Sequence, residues 1–161
     1  MGKESIAMSI FPTRILLATD GSEEAELAAL RAVDLADATD SELHVVHVGV
    51  VPILLETYPG TLGYDRKLYE QIEEVSRELL RKLSWRVKAA GGTVAGTHLR
   101  MGEVDLEIVA LAEELQADLI VMGSRGLGGV RRALMGSVSD SVVRHAHCPV
   151  LVVRPEKEQA A

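Results

Sequence analysis

A single cysteine, Cys148, leaves no intrachain disulfide to form and suits a reducing compartment. Aromatic residues are almost as scarce, with one Phe, one Trp and three Tyr in 161 residues. The core must therefore be built from Val, Leu, Ile and Ala. Single-stranded nucleic-acid binding, which stacks bases on aromatic side chains, is disfavoured for the same reason. Positive charge is also short. The formal net charge of −7 gives no long-range attraction to DNA, RNA or anionic lipid. Long hydrophobic runs are missing: the most apolar stretch, Val45 to Leu55, is interrupted by His47 and Pro52 and is too short to span a bilayer. Met1 to Ile6 has no signal-peptide core, and Ile6 stands where myristoylation wants Ser or Thr. No membrane association and a cytoplasmic location are the expectations.

Several motifs that carry nucleotide or hydrolase chemistry are absent as well. No Gly-Lys-Ser or Gly-Lys-Thr closes a glycine loop, so there is no P-loop. The dinucleotide pattern G-x-G-x-x-G fails, because Arg131 stands where the third glycine after Gly126 and Gly128 belongs. The G-x-S-x-G turn of serine hydrolases is missing too. No residue stands out as a general base aimed at a second substrate, which favours binding over chemistry.

What is present is alternation. At 161 residues, 47% of them apolar and 25% charged, the chain is long enough for one domain with a real core. Apolar runs suited to strands occur at 14–19, 42–48, 93–99, 118–122 and 150–153. Between them lie helical patterns at 23–38, 66–89, 104–116 and 137–146. The first has apolar residues at Leu27, Leu30, Val33 or Ala32, and Leu35; the second, at Leu68, Ile72, Val75, Leu79, Leu83 and Val87. Asp20-Gly21-Ser22 reads as a turn that caps the first helix, with Glu23 and Glu24 favourably placed in its first turn. Residues 52–65, with Pro52, Pro59, Gly60 and Gly63, read as a long loop that is either a lid or a plain connection. Five strands alternating with four helices predict a single-domain α/β fold with a largely parallel sheet. Ligands in such sheets bind beyond the carboxyl ends of the strands.

One segment carries most of the functional signal. After the apolar run Asp118 to Met122 come Gly123-Ser124-Arg125-Gly126, then nine residues, then Gly136-Ser137 at the start of a helical pattern. Glycine permits close approach of a ligand to the backbone, and a helix N-terminus offers unpaired N–H groups with partial positive charge. The combination suits phosphate. Plain turn glycines and an ordinary serine cap account for the same residues without a ligand.

The spacing G-x-x-G-x9-G-S, read as Gly123, Gly126, Gly136 and Ser137, resembles the ATP-binding signature of the universal stress protein family. Ile15 to Ser22 resembles that family's first strand and acidic turn, and His147 to Val153 its last strand. The resemblance covers roughly residues 13–155, leaving 1–12 as an N-terminal extension and 156–161 as a flexible tail. It implies a Rossmann-like fold of the adenine nucleotide alpha hydrolase type, with strand order 3-2-1-4-5. It also implies ATP as ligand, with Mg²⁺ carried on the phosphates, in a nucleotide-dependent stress-response protein. The residues matched to the nucleotide site are Ala18, Thr19, Asp20, Val48, Met122, Gly123, Arg125, Gly126, Gly136, Ser137, Val138 and Ser139. Ala18 and Val48 match positions that flank adenine. Asp20 belongs near the ribose or a Mg²⁺-bound water, since a bare carboxylate repels a triphosphate. Backbone N–H groups near Gly126 and Gly136, with the hydroxyls of Ser137 and Ser139, are matched to the phosphates. Arg125, Arg131 and Arg132 are candidates to reach a γ-phosphate. The resemblance further implies a homodimer paired through Val150, Leu151, Val152 and Val153. A slow ATP hydrolase and a nucleotide-independent interaction module stand as alternatives, and cyclic AMP as an alternative ligand.

His145, His147 and Cys148 have no second ligand pair at zinc spacing and read as structural. Cys148 reads as a small hydrophobe beside a strand. His44 and His47, three apart on a strand, point to opposite faces.

Overall fold

A computed structural model describes residues 12–51, 66–126 and 135–156. The proposed loop at 52–65, Arg131, Arg132 and the tail from 157 lie outside the described residues. The elements alternate: β1 (Arg14–Ala18), α1 (Glu23–Thr39), β2 (Glu42–Gly49), α2 (Arg66–Ala89), β3 (Gly96–Met101), α3 (Val104–Glu114), β4 (Leu119–Gly123), α4 (Ser137–His145) and β5 (Val150–Val153). The sheet is parallel throughout, in the order β3-β2-β1-β4-β5, as the resemblance implies. After β2 and β3 build one side, the chain crosses back to place β4 against the other side of β1. The carboxyl ends of β1 and β4 therefore open a crevice at the point where strand order reverses.

Each central strand is apolar on both faces because helices cover both. On one face Ile15, Leu17, Leu43, Val45 and Val121 pack with the small residues of α1 and with Leu80, Leu83 and Val87 of α2. On the other, Leu16, Val46, Val48, Ile120 and Met122 pack with Ile108 and Leu111 of α3 and Val142 of α4. This two-sided burial explains why the strands read as continuous apolar runs rather than alternating ones.

Helix α1 departs from its leucine pattern. Leu27 is 38% exposed and Leu30 55%, while Ala25, Ala28, Ala29, Ala32 and Ala36 are buried with Val33. Alanine faces the sheet because α1 runs close over β4. Even the backbone of Gly123 comes so near that an added Cβ would lie 3.1 Å from the Glu24 carbonyl carbon and 3.2 Å from Ala25 N. In α2 the inward stripe is Ser76, Leu80, Leu83 and Val87, and Val75 is left exposed. Strand β3 begins later than its apolar pattern predicts, since pairing with β2 starts at His44 opposite Gly96.

One side-chain arrangement fixes the starts of the central strands, opposite the crevice. Asp118 accepts from Thr13 N (2.9 Å), Thr13 Oγ1 (2.6 Å) and Arg14 N (3.1 Å), tying the start of β4 to that of β1. The Thr13 hydroxyl and amide and the Arg14 amide outweigh burial and hold this carboxyl below its ordinary range. His44 and His47 do diverge. His44 Nδ1 lies 3.1 Å from His98 Nε2 on the β3 edge, whereas His47 bonds the Thr19 carbonyl at 2.8 Å.

Candidate functional site

The turn after β1 is shaped by its own polar side chains. Ser22 is the N-cap of α1, and its hydroxyl accepts from Ala25 N at 3.2 Å. Asp20 Oδ1 accepts from Ser22 N at 2.9 Å, the local turn that short carboxylates favour. Gly21 takes φ of +79°, a left-handed conformation that glycine adopts without steric cost. The imidazole of His47 must donate from Nδ1, because its partner is the Thr19 carbonyl. That bond pins the end of β1 to β2.

Across the crevice, the glycine loop leaves β4 and packs on this turn. A Cβ at Gly126 would sit 2.3 Å from Asp20 Oδ2. Two of the motif glycines are thus needed for approach within the protein: Gly123 clears the first turn of α1, and Gly126 clears Asp20. At Gly136 the same test finds only ordinary contact, with Ser124 O at 3.4 Å.

The loop returns to β4 through Ser124. Gly136 N donates to Ser124 O at 2.6 Å. The Ser139 hydroxyl, buried, lies 2.7 Å from the same oxygen and 3.1 Å from Gly136 O. These two donors, matched by the resemblance to phosphate, are turned inward to close the loop. The outward donors differ. Gly136 is the N-cap of α4 and has no side chain to cap with, and the first helical bond runs from Asp140 N to Gly136 O. The amides of Ser137, Val138 and Ser139 therefore have no acceptor within the helix. Three aligned N–H groups at the positive end of a helix are suited to receive an anion.

Glu24, in the first turn of α1, reaches the same loop. Its carboxylate accepts from Ser124 Oγ (2.6 Å), Arg125 N (2.8 Å) and Arg125 Nε (2.9 Å), and Arg125 Nη2 lies 2.8 Å away. Burial by itself raises the Glu24 carboxyl. The bonds from Ser124 and from the Arg125 backbone and side chain, with the Arg125 charge, outweigh burial and hold it below its ordinary range. A lowered carboxyl contributes stability above that range, and the contribution disappears as pH falls through the folded-state value.

All twelve residues matched to the nucleotide site by the resemblance line one cleft of about 900 Å³. Ala18, Val48 and Met122 form apolar floor, the Gly123 to Gly126 loop and the start of α4 form one wall, and Asp20 stands between them. The sequence reading missed Leu68, Gln71, Ile72 and Val75 of α2 and Val104 and Ile108 of α3, which line the same cleft. A helical pattern identifies these as amphipathic but not as facing this cleft. It missed Glu24 as well, whose place in a first helical turn suggested only a dipole partner. Among the described residues no group of three or more His, Cys, Asp or Glu is placed to hold a metal ion. Among the same residues no helix is long and apolar enough to cross a membrane.

The sequence profile described as the universal stress protein family matches residues 12–154. A Staphylococcus haemolyticus protein named as a universal stress protein is 42% identical over 144 residues, covering 89% of this chain and 85% of its own. Universal stress protein UspA from Lactobacillus plantarum superposes with a TM-score of 0.75 at 27% identity, over 88% of this chain and 97% of that one. A universal stress protein solved in complex with cAMP superposes with a TM-score of 0.64 at 28% identity, over 91% and 99%. With the family profile spanning nearly its whole length, the chain belongs to the universal stress protein family.

Proposed function

We propose that the cleft binds an adenine nucleotide, ATP with Mg²⁺ on its phosphates, and that the protein acts through the nucleotide it holds. The observation carrying this reading is the set of amides of Ser137, Val138 and Ser139, which have no acceptor within α4, beside apolar residues at the ends of β1, β2 and β4. Phosphate oxygens match the amides, and a purine matches Ala18, Val48 and Met122. The relative solved with cAMP supports an adenine nucleotide as the ligand class. Two or three phosphates use the width of the donor wall better than one cyclic phosphate, which favours ATP. Asp20 fits the ribose hydroxyls or a Mg²⁺-bound water, and Mg²⁺ bound to the phosphates would screen its charge. Among the described residues nothing in the cleft is arranged as a base for water, so the function proposed is binding and signalling, in the cytoplasm, rather than turnover. Calorimetric titration of the wild type with ATP and Mg²⁺ should give a micromolar Kd. Absence of heat, with no nucleotide co-purifying from the folded protein, would overturn the proposal and leave an interaction module.

We also propose a homodimer paired through the last strand. β5 is a sheet edge of four apolar residues, Val150 to Val153, and Leu151 is 37% exposed. An uncovered apolar edge invites pairing, and a second copy satisfies it. Wild type should sediment as a dimer at micromolar concentration and Leu151→Lys as a monomer. A wild-type monomer would sink the dimer.

A further inference from the structure

A second group of titratable side chains lies outside the cleft, where β2 meets the edge strand β3. His44 pairs with Gly96, so His98, two positions on, projects from the same sheet face as His44. Gly96 leaves the room for both rings: a Cβ there would lie 2.9 Å from His44 Nδ1 and 3.2 Å from His98 Nε2. Those two nitrogens are 3.1 Å apart and the ring centroids 5.3 Å apart. The rings thus meet nearly end to end, with room for one proton between them. His44 is only 13% exposed, and its other nitrogen, Nε2, is buried with no hydrogen-bond partner among the described residues. Glu42 Oε2 stands 3.6 Å from that nitrogen and is itself held by Arg14 Nε at 3.0 Å. We propose that His44 and His98 form a one-proton clasp that fastens edge strand β3 to β2 near neutral pH and lets it loosen as the pH falls. The clasp does not depend on the nucleotide reading.

The clasp works by proton count. With neutral rings, one N–H bridges the two nitrogens. His98 Nε2 is the donor, because the opposite tautomer would turn a bare, buried His44 Nε2 toward the Glu42 carboxylate. One added proton keeps an N–H between the rings and makes the bond charge-assisted. A second proton puts N–H against N–H with both rings positive, so repulsion replaces the bond. The charged groups around the pair set where this happens. Arg14 of β1 and Glu42 of β2 face His44; Arg100 of β3 and Glu114 of α3 face His98. Arg14 first, then His44, hold the Glu42 carboxyl below its ordinary range, so it stays charged throughout. Burial first, then the charges of His44 and Arg100, hold His98 below its ordinary range, and Glu114 opposes them only in part. Histidines of an unfolded chain take up protons near pH ~6.5. The folded chain resists the second proton, so the contribution of the clasp is complete above that pH and is lost as pH falls through the folded-state value. The strand it fastens backs the cleft: Val46 to Gly49 of β2 line the cleft and all pair with β3.

Amide hydrogen exchange read by NMR on wild type and His98→Gln tests the clasp, with rates corrected for their intrinsic pH dependence. Glutamine keeps an N–H to offer His44 Nδ1 but takes up no proton. Between about pH 7 and pH 5, the wild-type β3 amides bonded to β2 should lose roughly tenfold in protection relative to Leu16 and Leu17 of β1, the factor for one unit of pKa difference. In His98→Gln the same ratio should hold within about twofold. An equal relative loss in the two proteins, or none in wild type, would overturn the clasp. Should His98→Gln fail to fold, the ring-nitrogen shifts of wild type decide. The clasp predicts two separated steps of proton uptake for the His44 and His98 rings, with β3 protection falling at the second. Ionisation of both rings together in one step defeats it.

Discussion

Gly126→Val is expected to abolish nucleotide binding, by roughly a hundredfold or more in Kd, while the protein stays folded. The first added carbon would lie 2.3 Å from Asp20 Oδ2, well inside contact distance. Asp20 must swing away or the loop must lift. The side chain can move, because only its far end is involved. The cost to folding is therefore small, about 1 kcal/mol, in line with a side-chain rearrangement near the surface. The two further methyls of valine then occupy the space between Asp20 and the start of α4, where the phosphates are proposed to lie. The control is Gly136→Ala. Its Cβ meets only ordinary contacts, the nearest at 3.4 Å, so ATP affinity should stay within about threefold, a difference under 1 kcal/mol. Calorimetry on the two variants, with thermal melts to confirm folding, checks the pair. Equal losses would mean that the motif glycines act through something other than clearance from Asp20.

Ile120→Ala should cost about 2–5 kcal/mol of stability, the range for truncating a large side chain in a packed core. Ile120 is fully buried in β4, paired with Leu16 of β1 on one side and Val150 of β5 on the other. It packs in the cluster that includes Ile108, Leu111 and Val142, so the space left by truncation has α3 and α4 above it and the sheet below. Neither side collapses easily. Leu30→Ala on the outer face of α1, 55% exposed, serves as the contrast and should change stability by less than about 0.5 kcal/mol. Denaturant unfolding of both proteins tests the assignment of faces. A larger loss at Leu30 than at Ile120 would invert it.

That contrast also marks where sequence pattern and structure part. Strands β1, β2 and β4 were legible because two-sided burial leaves unbroken apolar runs that few other contexts produce. The crevice was legible because three separated stretches resemble one family, and the structure gathers all twelve matched residues there. The inward face of α1 was not, since leucine outranks alanine in any hydrophobic pattern. The closeness of α1 to Gly123, which demands alanine, is a property of two elements together. The start of β3 was set by register against β2 rather than by its own residues. Glu24 was invisible for a related reason: its partners Ser124 and Arg125 lie about a hundred residues away, and no local rule links them. The donor set shifted likewise. Sequence suggested the Ser139 hydroxyl, while folding commits it to the Ser124 carbonyl and leaves the amides of Ser137 to Ser139 facing outward.

The central claim is that these amides receive the phosphates, and amide NMR during an ATP and Mg²⁺ titration tests it most directly. The account predicts saturable shifts at Ser137, Val138, Ser139 and Gly126, with smaller ones at Ala18 and Val48. Shifts confined to the separate groove between α1 and α2, lined by Glu26, Glu78, Lys82 and Arg86, or no shifts at all, would contradict it.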